Sequence, residues 1–441
     1  MEKRALPRHS SKNDGGADCP SERLRRTVPL KRSETVPTVT PMVSQQLLTR
    51  ILGRSESLFQ AEIESCRDQI TDLLAGARLL VIGAAGSIGS AFVHELCRYP
   101  LRGLHLVDLN ENSLVEVVRD LRAAGVRIPA DFRTFSVDFS APEFTALLCH
   151  ESYSHVLNFA ALKHVRSERD PYTLMRLLRI NVVANHNLFQ AFPARRRPAR
   201  IFAVSSDKAV RPASLMGASK AMMERVFLAQ ADQVPFSSAR FANVAFSTGS
   251  LLEGFLLRIR KRQPLGAPSD VRRYFISHQE AGQLCLLAAA VGRNREIFIP
   301  SLSPDSDLKT FSEIARLVLE AHGYEALECQ SDDEARRRAA ALGPGDTRWP
   351  CVFLPSDTSG EKPFEEFADP AEAVDLHRFS HLGVVTRPID HGIGPLREAV
   401  HRISGLEQSG NWNKEDLVAA VRIAVPELEH VETRRDLDQK L

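Results

Sequence analysis

Between residues 78 and 244 short apolar runs alternate with longer stretches of helical periodicity, and this alternation narrows the fold further than any other feature. The runs are RLLVIG (78–83), GLHLVD (103–108), FRTFSVD (132–138), HVLNFA (155–160), RIFAVSS (200–206) and PFSSARFANV (235–244). Short, nearly continuous apolar runs predict strands buried on both faces, and the helical stretches between them are long enough to act as crossovers. The expected fold is therefore α/β, a doubly wound parallel sheet with helices on both faces. After Asn243 the regularity weakens, with an insertion-like segment at 331–350 and a final helical stretch around NKEDLVAAVRIAV. This part is expected to form a smaller C-terminal substrate-binding region, 246–441, partly interleaved with the first domain.

A length of 441 residues exceeds one ordinary core, in keeping with that division. Hydrophobic residues at 43% and charged residues at 25% suit a chain that buries a sizeable core. The formal net charge of +2 offers no footprint for nucleic acid, which is not expected as a partner. The charge is uneven: residues 1–45 carry nine Lys or Arg against five acids, with five prolines and no apolar periodicity. That stretch is expected to be a disordered basic tail. Residues 46–76 show helical spacing that ends at Gly76 and are expected to form an N-terminal helical segment. No run approaches the roughly 18 apolar residues of a membrane span, and the tail lacks the apolar centre of a signal peptide. A cytoplasmic protein without an integral membrane segment is expected. Seven cysteines (Cys19, Cys66, Cys97, Cys149, Cys285, Cys329, Cys351) are scattered without a Cys-x-x-Cys pair, so no metal site and no disulfide framework is indicated.

Gly83-Ala84-Ala85-Gly86-Ser87-Ile88-Gly89 follows an apolar strand and opens a helix, the context of a dinucleotide fingerprint. Such glycines permit a tight turn and let backbone N–H groups approach a pyrophosphate at the helix N-terminus. Asp108 ends the next strand, nineteen residues after Gly89, where a carboxylate accepts hydrogen bonds from a ribose and repels a 2′-phosphate. NAD is therefore the expected cofactor, held in a Rossmann domain at 77–245. Asp138, at the end of the third strand, is placed to reach the adenine or to cap a helix.

A series of further motifs runs in order from about residue 75 to about residue 370. Ala160-Ala161-Leu162-Lys163-His164-Val165 is followed by Glu168, Pro171 and Asn181. Then come Ser206-Asp207-Lys208-Ala209-Val210, Met216-Gly217-Ala218-Ser219-Lys220, Arg240-Phe241-Ala242-Asn243-Val244, Ser247 to Ser250, Arg273-Tyr274-Phe275-Ile276-Ser277 with Glu280-Ala281, and Gly360-Glu361-Lys362-Pro363-Phe364-Glu365-Glu366. Together with the GxxGxxG spacing, the series resembles the nucleotide-sugar 4,6-dehydratases of polysaccharide biosynthesis, within the extended short-chain dehydrogenase/reductase superfamily. ILGRSES at 51–57 is similar to a connector of the long, membrane-anchored, C5-retaining branch, and the chain reads as a soluble relative of that branch.

The resemblance implies a UDP-sugar as partner, UDP-N-acetylglucosamine above all, NAD as cofactor, and a homo-oligomer. It also implies the site. Lys220 would hold the nicotinamide ribose, Lys208 would be the base at C5 with its pKa lowered by burial and neighbouring positive charge, and Asp207 the acid at O6. Ser206 would hydrogen-bond the 4-oxygen. Met216 stands four residues before Lys220, where the superfamily has a Tyr; a thioether moves no proton, so another group must deprotonate the 4-hydroxyl. Lys163 and His164 would line the cofactor and sugar site, and Asn243, Ser250, Arg273 and Glu361 would contact the substrate. Three departures from the pattern are Ala242 for a Gly, Ala184-Asn185 for Gly-Thr, and Thr358 for an Arg. A 4-epimerase or a C4 or C3 oxidoreductase, and an inactive nucleotide-binding regulatory protein, are the rival readings; neither needs Asp207 and Lys208 side by side.

Overall fold

The computed structural model describes residues 43–356, 362, 364–387 and 393–430. The basic tail to residue 42, Thr358 and Glu361 lie outside the described residues. All six apolar runs contain strands: β1 (Arg78–Ile82), β2 (Gly103–Asp108), β3 (Asp131–Ser136), β4 (His155–Asn158), β5 (Arg200–Val204) and β6 (Phe236–Ala239). The C-terminal part adds β7 (Glu296–Pro300), β8 (Val374–Asp375) and β9 (Leu382–Thr386) to the same sheet, in the order β8-β9-β7-β6-β5-β4-β1-β2-β3. From β7 to β3 every pairing is parallel, while β9 runs antiparallel to both of its neighbours. The chain adopts the doubly wound, Rossmann-like α/β fold.

β1 shows why its run is apolar throughout. Leu79 and Val81 join a core cluster with Phe92 and Leu284 on one face, and Leu80 and Ile82 join another with Phe144 and Phe227 on the other. A central strand sends alternate side chains into two cores, and each buried side chain contributes about 1.5–3 kcal/mol. β1 lies between β2 and β4, where strand order reverses and the carboxyl ends leave a crevice.

PFSSARFANV departs from the single strand expected. The main sheet takes only Phe236–Ala239, and Asn243–Val244 pairs with Arg272–Ile276 in a three-stranded sheet completed by Leu308–Thr310. The break falls at Arg240, whose guanidinium turns into buried ion pairs with Glu224 and Glu372, both 2.7 Å away. The segment read as insertion-like contains the helix Asp332–Ala340, which crosses between the parallel strands Glu325–Glu328 and Arg348–Leu354.

The N-terminal helix Gln45–Leu52 starts earlier than the boundary placed at 46, because the Ser44 side chain accepts from Leu47 N and caps it. Gly53 then ends the helix in the left-handed region, at φ 75°. Arg54 follows, and its guanidinium grips buried Glu280 with Nε and Nη2 at 2.6 and 2.9 Å. Glu280 also closes the capping box of the helix His278–Val291, so the N-terminal segment is fastened to the turn after Arg272–Ile276. The helices Ile393–Ser409 and Lys414–Ala424 share an apolar cluster with Pro171–Leu178 and Leu215–Gln230. No helix among the described residues is long and apolar enough to cross a membrane.

Candidate active site

At the carboxyl end of β1 the three glycines serve three purposes. Gly83 has φ 74°, and a Cβ on it would stand 2.5 Å from Ala160 N. Gly89 lies so close beneath the Gly83 carbonyl that a Cβ would overlap it. A Cβ on Gly86 would meet nothing nearer than the Gly83 oxygen at 3.5 Å, and its φ of −71° suits any residue. Asp108 holds the turn, accepting from Ala85 N with Oδ2 and from Asn110 N with Oδ1, each at 2.9 Å.

These elements enclose a cleft of about 200 Å³ lined by Gly83, Gly86, Asp108, Asp138, Ala160 and Ala161 among others, so six expected cofactor residues converge. Leu109, Val137 and Leu162 supply apolar walls, and Arg176 lies at the same cleft. Asp138 Oδ1 accepts from Ser140 N and Oγ, a turn cap rather than a helix cap. Ser87 ties the following helix to the loop 247–250: its Oγ accepts from Thr248 N at 2.9 Å. Ile88 is half-buried against the core.

A polar ladder supports the floor of the cleft. Asn181, fully buried, exchanges two hydrogen bonds with the Leu162 backbone and donates to Ser219 Oγ. Asn158 holds Ala160 N and donates to Asn185 Oδ1 at 2.6 Å. Asn185, the departure from Gly-Thr, is thus a built part of the ladder.

The Leu215–Gln230 helix presents Lys220, which is buried and donates to the Val204 carbonyl at 3.0 Å. Burial pulls its pKa down to about 8, against the attraction of Glu224 one turn on. Glu224 is held by Arg240 and by the Ser205 hydroxyl. Met216 packs in the apolar cluster of the C-terminal helices, and its N–H donates to buried Glu168 at 2.7 Å.

Ser206, Asp207 and Lys208 follow β5. Asp207 is buried, and its Oδ1 accepts from Ser206 Oγ at 2.7 Å, Lys208 N at 2.8 Å and Lys208 Nζ at 3.2 Å. The expectation that Lys208 would have a lowered pKa is corrected here. Burial does work against its charge, but Asp207 and Glu365, with Oε1 3.7 Å from Nζ, outweigh it, and the pKa is raised. Lys208 rests as an ammonium between two carboxyls.

The expected substrate residues divide. Arg273 is buried in the same cluster, donating to the carbonyls of Arg272 and Lys362 and lying 3.9 Å from Glu365. Asn243 Nδ2 is buried without a partner among the described residues, a donor with spare capacity. Ser250 caps the helix Leu251–Arg260 by accepting from Glu253 N. Lys163 and His164 are exposed beyond Ala161, with the His164 ring 2.8 Å from where a Cβ on Gly249 would stand. Glu365 is a further member of the site: it is buried within the Lys208 cluster, and its sign in the sequence is its place in the motif at 360–366.

The chain belongs to the family described as "Polysaccharide biosynthesis protein", whose sequence profile matches residues 79–346. It is 28% identical over 261 residues to the probable polysaccharide biosynthesis protein EpsC of Bacillus subtilis, covering 58% of this chain and 42% of that one. With the capsular polysaccharide biosynthesis protein CapD of Staphylococcus aureus it shares 28% identity over 233 residues, 51% of this chain and 38% of that one. The match thus spans about two fifths of the length of these two relatives. A UDP-glucose 4-epimerase of Rickettsia bellii is 27% identical over 287 residues, 60% of this chain and 80% of the epimerase. Among solved structures, Pen from Bacillus thuringiensis superposes with a TM-score of 0.58 at 18% identity, covering 72% of this chain and 89% of that one. That likeness concerns the fold.

Proposed function

We propose that this chain is an NAD-dependent nucleotide-sugar 4,6-dehydratase acting on UDP-N-acetylglucosamine. The observation that carries the reading is the Asp207–Lys208 pair at the carboxyl end of β5, beside Lys220: elimination of water needs both an acid and a base, whereas oxidation and reduction at C4 alone do not. The cleft fits the cofactor. Gly86 is the glycine that the protein's own packing does not require, and its missing side chain leaves the N-terminal end of the helix Ser87–Leu96 accessible to a pyrophosphate, while Asp108 would meet a ribose. NAD would supply the hydride acceptor for C4 and the donor for C6.

In this reading Lys220, poised near neutrality, holds the nicotinamide ribose. Ser206 bonds the 4-oxygen and passes its proton to Asp207, to which its hydroxyl already donates, so Met216 need not act as a base. Lys208 serves C5, Asp207 serves O6, and the spare Asn243 donor would contact the nucleotide. The experiment is a mass spectrum of the product from UDP-N-acetylglucosamine: lighter than substrate by one water, without stoichiometric NADH. Lys208→Ala should stop water loss while bound cofactor is still reduced. A 4-epimerase is the second reading, favoured by the likeness to the Rickettsia bellii UDP-glucose 4-epimerase; a product of unchanged mass would establish it and sink the first.

A further inference from the structure

The reading above asks an ammonium to act as a base, and the residue that answers this is Glu365. Its carboxyl is buried, with Oε1 3.7 Å from Lys208 Nζ and 3.9 Å from Arg273 Nη2. Oε2 lies 3.9 Å from Lys362 Nζ and has no hydrogen-bond partner among the described residues. The cations around it are engaged elsewhere: Arg273 with two carbonyls, Lys362 with the Val210 carbonyl, Lys208 with Asp207. A buried carboxylate oxygen without a donor is costly, and protonation removes that cost.

We propose that Glu365 is the proton partner of Lys208, taking the ammonium proton so that the free amine can act at C5. This rests on the dehydratase reading. The protons balance within the cluster. An Nζ–H bond of Lys208 breaks and an O–H bond forms on Glu365. Lys208 Nζ then takes the C5 proton, the C5–C6 double bond forms and the C6–O6 bond breaks. O6 leaves as water with the proton that Asp207 received from the 4-hydroxyl through Ser206. The two electrons removed at C4 return as hydride at C6, Lys208 gives a proton back to C5, and Glu365 returns its own to Lys208.

The charges facing the pair favour this exchange. Around Glu365, burial raises the carboxyl pKa and Asp207 adds to the rise, against Lys208, Arg273 and Lys362, and the net direction is upward. A carboxyl moved up beside an amine that a polar neighbour can release makes a couple whose proton need not reach solvent. Glu365 acts through Lys208 and is a positioning residue in this sense.

The test follows deuterium entry at C5 of UDP-N-acetylglucosamine in heavy water, and water loss, as a function of pH. In the wild type both rates should be flat across neutral pH, because the proton stays inside the pair. In Glu365→Gln the proton must go to solvent, so the rates should fall at least about tenfold at neutral pH and climb about tenfold per pH unit. Glu365→Asp should keep the flat profile at a lower rate, and it decides the matter if the Gln variant does not fold. Reduction of bound cofactor by the substrate, read as absorbance, reports folding in the same samples. A flat profile in Glu365→Gln, or a sloped one in Glu365→Asp, overturns the proton-partner role while leaving the dehydratase reading intact. Wild-type protein that reduces cofactor but neither exchanges C5 nor loses water overturns the dehydratase reading and this proposal with it.

Discussion

Replacing Gly86 by alanine separates what the protein needs from what its cofactor needs. At φ −71° alanine is unstrained, and the added Cβ meets only the Gly83 oxygen, at an ordinary 3.5 Å. Removing glycine's freedom from the unfolded chain stabilises by about 0.4–1 kcal/mol. Gly86 is also the N-cap of the helix Ser87–Leu96, and alanine there costs a similar amount, about 0.5–1 kcal/mol. The two offset, so the melting temperature should move by no more than about 2 °C. Binding should behave otherwise, because the methyl stands at the cleft where a pyrophosphate would meet the turn. Loss of one charge-assisted hydrogen bond, about 1.5–3 kcal/mol, corresponds to a roughly ten- to hundredfold weaker Kd for NAD. Gly89→Ala is the contrast. Helix propensity favours it by about 1 kcal/mol, but the Cβ would overlap the Gly83 carbonyl and stand 3.1 Å from Ala84 Cα. Overpacking of that kind costs about 1–3 kcal/mol, so this variant should melt lower. Scanning calorimetry and isothermal titration with NAD measure both quantities. Gly86→Ala binding NAD within about twofold of wild type, or melting as low as Gly89→Ala, would refute the assignment of the middle glycine to the ligand.

Three further outcomes are expected. Arg54→Ala should cost about 3 kcal/mol in urea unfolding, since it leaves buried Glu280 without its bidentate partner; a loss under about 0.5 kcal/mol would mean the N-terminal segment is merely laid on the body. Burial holds His155 at about 4, below the ordinary 6.5, so its contribution is complete above pH 6.5 and is lost as pH falls towards 4, about 3 kcal/mol in all. His155→Gln should remove that part of the pH dependence of stability, and an unchanged slope between those limits would contradict it. Asp108→Ser should narrow the preference for NAD over NADP, since Arg119 is paired with Glu116 at the surface whereas Arg176 lines the cleft; direct titration of both cofactors checks it.

The parts of the fold set by local rules could be read in the sequence. Six apolar runs gave strands, and the glycine turn sits where its spacing and context placed it. The break after Ala239 could not be read, because it depends on Arg240 finding Glu224, 16 residues back, and Glu372, 132 residues on. A one-dimensional pattern of Phe, Ala and Val continues through that point as if nothing intervened. Ser250 shows the same limit: the motif marks a hydroxyl, and only the geometry of the following helix shows that this hydroxyl also caps it.

Lys208 is the case that matters for chemistry. An Asp-Lys pair after a strand identifies two residue types with suitable reactivity, but not which of them carries a proton at rest. That is decided by what else faces the amine, and here the decisive group, Glu365, arrives from a segment far along the chain in whose motif only Glu361 is expected to have a role. The two residue types are legible in the sequence, while the direction of the Lys208 shift is opposite to expectation because Asp207 and Glu365 together outweigh desolvation. The same addition supplies a remedy. The carboxyl that stabilises the ammonium in the resting site has one oxygen without a hydrogen-bond partner among the described residues, so in the proposed exchange one proton crossing between the two groups would discharge the amine and the carboxylate together.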